Sequence, residues 1–411
     1  MTVLIVIDAG STIDPSGKEG LAALTADALL EGTREFDGAQ LNERFERLGT
    51  AVESAAGWDS AVVKLTVLAD RLEEATALLG EAISIPAFPE REIERLKAER
   101  LAEILQLETE PRGLADEKFS EFLYAPESRY ATSDGGTAES VAGLSRADVD
   151  SFFRSHYRVG ATTVVVAGAI TPLMARNLVS KAFGRWTSGV GQGRALIASP
   201  RTNGRAVNIV NKLDAPQSEL RVGHLGLSRK HPDFFPTMVM NAVLGGLFGS
   251  RINMNLREEH GYTYGASSSF DWRRGPGPFV VATAVQSEVT APALREIFSE
   301  IERIRADRIS EEELSLARDY LDGVFPIRYE TTQAIASALA NLVIYALNTD
   351  YYDTYRTRVR EVTTDDVLRA ARNHLHPDQL QTVIVGDAAA IKDSISQLGF
   401  GELRVHAAQN D

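Results

Sequence analysis

The chain contains 411 residues, too many for one ordinary hydrophobic core, and this length predicts two domains of about 200 residues each. A hydrophobic fraction of 44% and a charged fraction of 24% are typical of globular proteins and argue against a disordered or membrane-inserted chain. The net charge of −14, with no cluster of lysine and arginine, argues against a nucleic acid or an anionic membrane surface as a partner.

The first segment, VLIVI at 3–7, predicts a buried strand, since it is too short for a signal peptide and lacks the basic flank. A chain that begins inside a strand leads us to expect that a signal or an edge strand was removed upstream, or that the start codon was misassigned. The absence of cysteine excludes disulfides, thiolate nucleophiles and cysteine-based zinc sites. It is compatible with both the cytoplasm and the periplasm.

The stretch GLAALTADALLEGT at 20–33 predicts a closely packed helix with a glycine entry and a Gly-Thr exit. Apart from Asp27, no side chain on it could hold a metal ion strongly or take up a proton at neutral pH. Farther along, a stretch at 187–205 that is rich in glycine, serine, threonine and arginine separates two halves. We therefore predict a first domain at 1–190, a linker at 191–205 and a second domain at 206–411.

The second half of the chain repeats the first. Segments 144–170 and 362–390 align without a gap at an offset of 218, and each predicts a capped helix, a turn and a strand that ends in glycine. The matching pairs are Asp148 and Asp366, Val149 and Val367, His156 and His374, and Gly168 and Gly386. Upstream, three predicted elements correspond in order: strands 62–69 and 279–285, helices 70–83 and 291–304, and helices 88–105 and 309–325. The predicted fold class is α+β, with two homologous domains that each pack long helices on one face of an antiparallel-rich sheet.

The seven histidines include no pair at the i, i+4 spacing that places two imidazoles on one metal ion from a helix. His156 and His374 fall at equivalent helix ends, where an imidazole can cap carbonyl groups and interact favourably with the helix dipole. No G-x-S-x-G motif is present, and the glycine-containing segments 244–250 and 273–279 lack the Gly-Lys-Ser/Thr ending of a phosphate-binding loop. The sequence therefore predicts no metal site and no nucleophile on this chain.

Segment 241–270 predicts a helix, a short helical piece, a turn and a strand that starts at Tyr262. Arg257 and Tyr264 lie on either side of that turn. A guanidinium and a phenol brought together there could hold a peptide carbonyl and a developing oxyanion. The alternative is an arginine paired with a carboxylate and a tyrosine that fills a strand position, and the spacing alone favours this alternative.

Taken together, these segments resemble the M16 (pitrilysin/insulinase) peptidase family, in the two-domain form related to the mitochondrial processing peptidase, over nearly all of the chain. In active members the first helix reads like G-L-A-H-F-L-E-H-M-L-F-x-G-T. The resemblance places the first zinc histidine at Ala23, the general-base glutamate at Ala26 and the second histidine at Asp27. The third ligand, a glutamate, falls at Glu103, which is present. The resemblance implies that this chain holds no zinc and has lost the base that would activate water.

The arginine–tyrosine pair of the family's second domain maps onto Arg257 and Tyr264, preceded by a shortened glycine-rich segment at Gly245 and Gly246. In the family this pair reaches the zinc site and holds substrate there. In some members one chain carries the zinc-binding helix and a second, paired chain carries the arginine–tyrosine pair. The resemblance implies a non-catalytic subunit that is inactive alone. It would bind peptide or unfolded polypeptide beside the zinc of a sister M16 subunit, in a heterodimer or a larger complex.

Two other functions stay open. A scaffold protein would keep the M16 shell for assembly alone, as in the core subunits of respiratory complexes, and the arginine–tyrosine pair would then have no role. A hydrolase that uses an unrelated site is the third hypothesis, and no constellation in the sequence supports it. Copurification with a chain that contains His-x-x-Glu-His would distinguish the first two hypotheses.

Overall fold

The fold is given by a computed structural model that describes residues 1–184, 186, 189 and 198–407. Residues 191–197 of the predicted linker lie outside the described residues. Among the described residues, no helix is both long enough and apolar enough to span a membrane.

Strands and helices alternate along the chain in an order that is nearly the same in its two halves. The strands are β1 (Thr2–Ile7), β2 (Val52–Ala56), β3 (Ala61–Thr66), β4 (Thr162–Ala167), β5 (Ala206–Asn211), β6 (Gln217–Leu225), β7 (Ala266–Phe270), β8 (Pro278–Gln286), β9 (Gln381–Gly386) and β10 (Glu402–His406). The helices of the first half are α1 (Leu21–Ala28), α2 (Gly38–Arg47), α3 (Leu72–Ser84), α4 (Glu90–Thr109), α5 (Pro111–Leu123), α6 (Ala138–Ala142), α7 (Arg146–His156) and α8 (Pro172–Phe183). Those of the second half are α9 (Phe234–Asn241), α10 (Arg251–Asn253), α11 (Thr290–Ala306), α12 (Glu311–Arg328), α13 (Thr332–Ile344), α14 (Tyr351–Glu361), α15 (Thr364–His374) and α16 (Ala388–Ser396).

Equivalent local signals start equivalent helices in the two halves. Ser145 caps α7 and forms a reciprocal pair with Asp148, and Thr363 caps α15 in the same way with Asp366. In each capping box the hydroxyl accepts a backbone N–H three residues later, which satisfies one of the unpaired donors of the first turn. The predicted helix starts in the two repeats are therefore confirmed.

The described residues form two compact units. The first takes its members from Met1–Leu105, Thr132–Leu196 and Pro326–Thr349. Its sheet is antiparallel, with the strand order β2-β3-β1-β4. The main core lies between this sheet and helices of the first half, and it includes Leu24 on α1 and Phe45 on α2.

Strand β1 is buried on both faces, as predicted for VLIVI. Val3, Ile5 and Ile7 belong to the main core. Leu4 and Val6 point to the opposite face, because successive side chains of a strand alternate between the two faces. There they pack in a second cluster with the buried alanines of α13, a helix from the second half of the chain.

The second unit takes its members from Gln106–Ala131, Ile197–Phe325 and Asp350–Asp411. Its six-stranded sheet has the order β10-β5-β9-β6-β8-β7. The segment β7-β8-β6-β9 repeats the order of the first sheet and is antiparallel, whereas β5 and β10 are added in parallel. The predicted α+β class with two antiparallel-rich sheets is confirmed.

Each unit contains one helix from the other half of the sequence. Helix α5 belongs to the second unit, where Asp116 forms an ion pair with Arg221 of β6. Helix α13 belongs to the first unit, where the hydroxyls of Thr332 and Thr2 are hydrogen-bonded at 2.8 Å. Both follow the long helix of their own half, α4 and α12, and so occupy equivalent places in the repeat. The compact units therefore do not run as uninterrupted segments of chain.

We predict that Ala336→Asp destabilises the first unit, because Ala336 is fully buried against β1 and β4 on a helix contributed by the other half. A carboxylate there has no partner, and the free energy of unfolding should fall by about 3 kcal/mol. The measurement is the urea midpoint. The matched control is Gln333→Asp, which puts the same charge on the exposed side of the helix and should leave the midpoint unchanged. Equal midpoints for both variants would show that α13 does not cover the sheet in solution.

Candidate functional site

The metal-helix segment forms α1, which is shorter than the predicted 20–33. Gly20 precedes it with φ of 93°, a conformation that favours glycine. The buried carboxylate of Asp14 accepts the backbone N–H groups of Gly20 (2.9 Å) and Ala22 (2.8 Å), which caps the helix. The helix ends at Ala28. Thr33, the end of the predicted helix, lies outside it and forms a β-bridge with Pro86.

Two of the degenerate positions are filled by small buried side chains. Ala23 and Ala26 lie in the packed interior, and the carbonyl of Ala26 accepts the hydroxyl of Ser54 on β2 at 2.6 Å. A methyl group offers neither a metal ligand nor a proton acceptor. At these two positions the helix keeps its packing function and has no catalytic group.

The other two positions, Asp27 and Glu103, are joined by the guanidinium of Arg100. Its Nη2 lies 2.8 Å from Asp27 Oδ2, and its Nη1 lies 3.1 Å from Glu103 Oε2. Burial raises the pKa of Asp27 above its usual value, and the charge and hydrogen bond of Arg100 act in the opposite direction. The permanently charged guanidinium of Arg100 is thus bound to the two carboxylates that a metal ion would otherwise use.

These residues do not fit a zinc ion. Zinc sites of this kind need histidine nitrogen, and here two alanines and an arginine-bound aspartate take the place of the imidazoles and the base. Arg100 is not among the residues predicted from the sequence. The available signal was its place one turn before Glu103 on α4, but its pairing with Asp27 joins residues 73 positions apart.

The second candidate segment contains two π-helical turns. The first, Ala242–Gly246, continues α9, and the second, Met254–Glu259, continues α10 and carries Arg257. Strand β7 begins at Ala266, so the prediction of a strand from Tyr262 is wrong. Tyr264 therefore lies in the connecting loop, and its side chain is 96% exposed. Within the described residues, its hydroxyl has no hydrogen bond.

A cavity of about 560 Å³ lies beside this loop in the second unit, and Gly245, Gly246 and Tyr264 line it. Arg257 is not among the described residues that line it. The Arg257 guanidinium lies 4.6 Å from the ring centre of Phe248, a cavity residue, and 3.5 Å from the carboxylate of Glu258. The structure thus brings three of the four predicted residues to one cavity and connects Arg257 to it through Phe248.

The two glycines have a packing role that explains their identity. A Cβ on Gly245 would lie 2.6 Å from the backbone nitrogen of Ser268 and closer still to its hydroxyl. A Cβ on Gly246 would lie 2.9 Å from the side-chain nitrogen of Asn241. The distances at Gly245 are far below van der Waals contact, so the π-helical turn can approach β7 only with glycine at this position, whereas Gly246 makes room for Asn241 of α9.

Polar side chains of β6 form the floor of the cavity, and they are not among the residues predicted from the sequence. Gln217, Glu219 and Arg221 alternate along the strand, so they share one face of the sheet. Glu219 and Arg221 lie opposite Ala284 and Ala282 of β8, whose small side chains leave room for the cavity. The signal in the sequence was the alternation of polar and apolar residues in QSELRV.

Arg221 is held by two carboxylates. Its Nε lies 2.5 Å from Asp116 on α5, and its Nη1 lies 2.9 Å from Glu219. The Arg221 side chain is almost fully buried, and this pairing offsets the cost of removing its charge from water. Arg112, at the start of α5, adds an exposed cation to the cavity lining. The cavity is therefore polar, with charges of both signs.

We predict that Arg100→Ala lowers stability more at neutral pH than in acid. Without Arg100, burial raises the pKa of Asp27 further, so the variant is penalised as pH rises above the unfolded value of 3.8. Below that value the carboxyl is protonated in both states, and the penalty disappears. The measurement is the difference in urea midpoint between the variant and wild type at neutral pH and at about pH 3. In an Asp27→Asn background, the cost of Arg100→Ala should depend much less on pH, because only the exposed carboxylate of Glu103 is left as a partner. A penalty of equal size at both pH values would contradict the pairing.

A second prediction concerns reconstruction of a metal site. The triple variant Ala23→His, Ala26→Glu, Asp27→His should bind zinc weakly, because Arg100 still repels a cation and holds Glu103. Adding Arg100→Ala should tighten zinc binding on the order of tenfold or more, by calorimetry. The matched control adds Arg95→Ala instead. Arg95 lies on the same helix, but it pairs with other carboxylates, those of Glu31, Glu92 and Glu99. Equal zinc affinity with and without Arg100 would contradict the prediction.

Comparison with known proteins agrees with the fold. The family model described as "Insulinase (Peptidase family M16)" matches residues 1–131, and the one described as "Peptidase M16 inactive domain" matches residues 143–321. The "Non-peptidase homolog YmxG" of Helicobacter pylori is 23% identical over 383 residues, which covers 92% of this chain and 87% of that protein.

Two further relatives extend the comparison. The "Probable mitochondrial-processing peptidase subunit beta, mitochondrial" of Arabidopsis thaliana is 22% identical over 406 residues, which covers 95% of this chain and 75% of that protein. A crystal structure described as a peptidase M16 inactive domain from Pseudomonas fluorescens superposes with a TM-score of 0.88 at 25% identity, and covers 94% of this chain and 92% of that one. With most of its length matched by models of one family, the chain belongs to the peptidase M16 family.

Proposed function

We propose that this protein is the substrate-binding, non-catalytic subunit of a heteromeric M16 metallopeptidase, whose zinc is held by a sister chain. One observation carries the proposal: the chain has replaced its metal helix by packing and an ion pair, yet keeps an open polar cavity around Tyr264. A protein that had lost every role in proteolysis would have no need of this cavity.

The exposure of Tyr264 is the feature that most needs an explanation. A phenol ring that is 96% exposed gains nothing from packing in the free chain. Its hydroxyl is available both as a donor and as an acceptor. A peptide carbonyl presented by a substrate bound to a partner would provide the missing hydrogen bond.

The cavity suits an extended polypeptide rather than a small apolar ligand. Its lining joins backbone and hydroxyl groups near Thr263, Gly265 and Ser267 to the charged pair of Glu219 and Arg221. Such a surface can hydrogen-bond the main chain of many sequences. The substrate class is therefore peptide or unfolded polypeptide, with limited sequence selectivity.

A second function, a scaffold of the M16 fold with no part in proteolysis, draws support from one comparison. The Helicobacter pylori relative that covers most of this chain is described as a non-peptidase homolog. A scaffold and a substrate-binding subunit differ in one measurable respect. Only the latter affects turnover by a partner.

The experiment reconstitutes this chain with an M16 chain of the same genome that contains His-x-x-Glu-His. Steady-state cleavage of an unfolded polypeptide is measured, and complex formation is followed by gel filtration. Tyr264→Phe should lower kcat on the order of a hundredfold while the complex still forms, because a hydrogen bond to a developing oxyanion counts most in the transition state.

The matched control is Tyr262→Phe, which removes the same atom two residues away, from a ring that stacks on His260 at 4.9 Å. It should leave turnover unchanged. Arg257→Ala, which also frees Phe248, should mainly raise KM, because it acts on substrate binding in ground and transition states alike. Wild-type kinetics from Tyr264→Phe in an intact complex would refute the proposal and favour the scaffold.

A further inference from the structure

Three potential metal ligands meet at a place that has no part in the proposed substrate site. His231 and Asp233 lie in the turn before α9, and His374 is the last residue of α15. Each offers one ligand atom, and these three atoms all lie within 4.8 Å of one another. We infer that His231, Asp233 and His374 form a binding site for a divalent transition-metal ion of the zinc class, at the junction of α9 and α15.

The donor set suits such an ion. Two imidazole nitrogens and one carboxylate oxygen are common zinc ligands, and three protein ligands leave a fourth position for water. The site is half-buried: the Asp233 side chain is 18% exposed and that of His374 is 10% exposed. An ion can therefore reach it, while the protein still restricts its surroundings.

The carboxylate of Asp233 is held in place by a neighbour. Its Oδ1 accepts a hydrogen bond from Arg369 at 2.7 Å, so Oδ2 is the oxygen that faces His374. Such a contact to a ligating carboxylate strengthens a metal site by fixing its geometry. The backbone N–H of Asp233 donates to His231 Nδ1 at 3.1 Å, and the imidazole would give up this bond when either ring nitrogen binds a metal ion.

In the structure, His374 Nε2 lies 2.7 Å from Asp233 Oδ2. This contact corrects the expectation that His374 caps helix carbonyls. Around a tetrahedral zinc with bonds of about 2.0 Å, neighbouring ligand atoms lie roughly 3.3 Å apart. Metal entry would therefore open this pair by about half an ångström, a shift that side-chain rotation can supply.

The charge of Arg369 opposes a cation, but only in part. Asp366 lies 3.2 Å from the same guanidinium and offsets its charge. We therefore expect micromolar binding, weaker than that of a buried structural zinc. The ion would fix the start of α9, the helix whose other end leads into Gly245 and Gly246.

The test uses the full-length, untagged chain after chelator treatment, titrated with Zn²⁺ in a calorimeter and with Co²⁺ in an absorption spectrometer. Wild type should bind one equivalent of Zn²⁺, and Co²⁺ should give the visible bands of a low-coordinate site. His231→Ala is the decisive variant, because it leaves the Asp233–His374 contact intact and so should fold normally.

His231→Ala should weaken Zn²⁺ binding on the order of a hundredfold and remove the Co²⁺ bands. The control His260→Ala removes a partly exposed imidazole outside the cluster and should bind as wild type does. The inference is overturned if wild type binds no Zn²⁺ at millimolar concentration, or if His231→Ala binds it as tightly as wild type. Neither outcome bears on the substrate-binding role of Tyr264.

Discussion

A sheet that is apolar on both faces must be covered on both, and this constraint organises the molecule. In the first unit, β1 places Val3, Ile5 and Ile7 against its own helices and Leu4 and Val6 against α13. The second unit covers the equivalent face with α5, but there β6 presents Glu219 and Arg221 instead of aliphatic side chains. The candidate cavity exists because one repeat has replaced apolar cover by ion pairs and small residues on the same face.

The degenerate helix shows how a fold retains a helix after its chemistry is lost. The interior around α1 still needs close packing, which alanine supplies without strain at Ala23 and Ala26. The remaining carboxylates would repel each other if left unpaired, and Arg100 joins them. Because three positions, Ala23, Ala26 and Asp27, differ from the ligand and base set of the active family members, no single substitution restores that set.

Local patterns predicted the local structure well. The buried strand at 3–7, the capping boxes at Ser145 and Thr363, and the repeat itself follow from periodicity and short-range hydrogen bonding. The errors lie where contacts with other segments compete with the local pattern. Thr33 bridges to Pro86 instead of extending α1, and the backbone N–H of Tyr262 donates to the carbonyl of Leu256 instead of joining a strand.

The candidate sites were predicted only in part, because some of their residues come from distant segments of the chain. Gly245, Gly246 and Tyr264 are close in sequence and meet at one cavity, whereas its floor on β6 comes from elsewhere in the chain. Arg100 reaches Asp27 across 73 residues, and His374 reaches Asp233 across 141. No spacing rule relates positions so far apart, so only the folded chain shows these groupings.

The placement of α5 and α13 in opposite units bears on how the gene arose. A single ancestral half would have kept one sheet face bare until a second copy supplied its helix, so that its folded form would have been a domain-swapped homodimer. With both copies in one chain, the exchange of helices is intramolecular, so a high effective concentration takes the place of a concentration-dependent assembly. The two copies can then differ: one has an apolar face, and the other opens the equivalent face to form a cavity. Gene fission today would return both halves to mutual dependence.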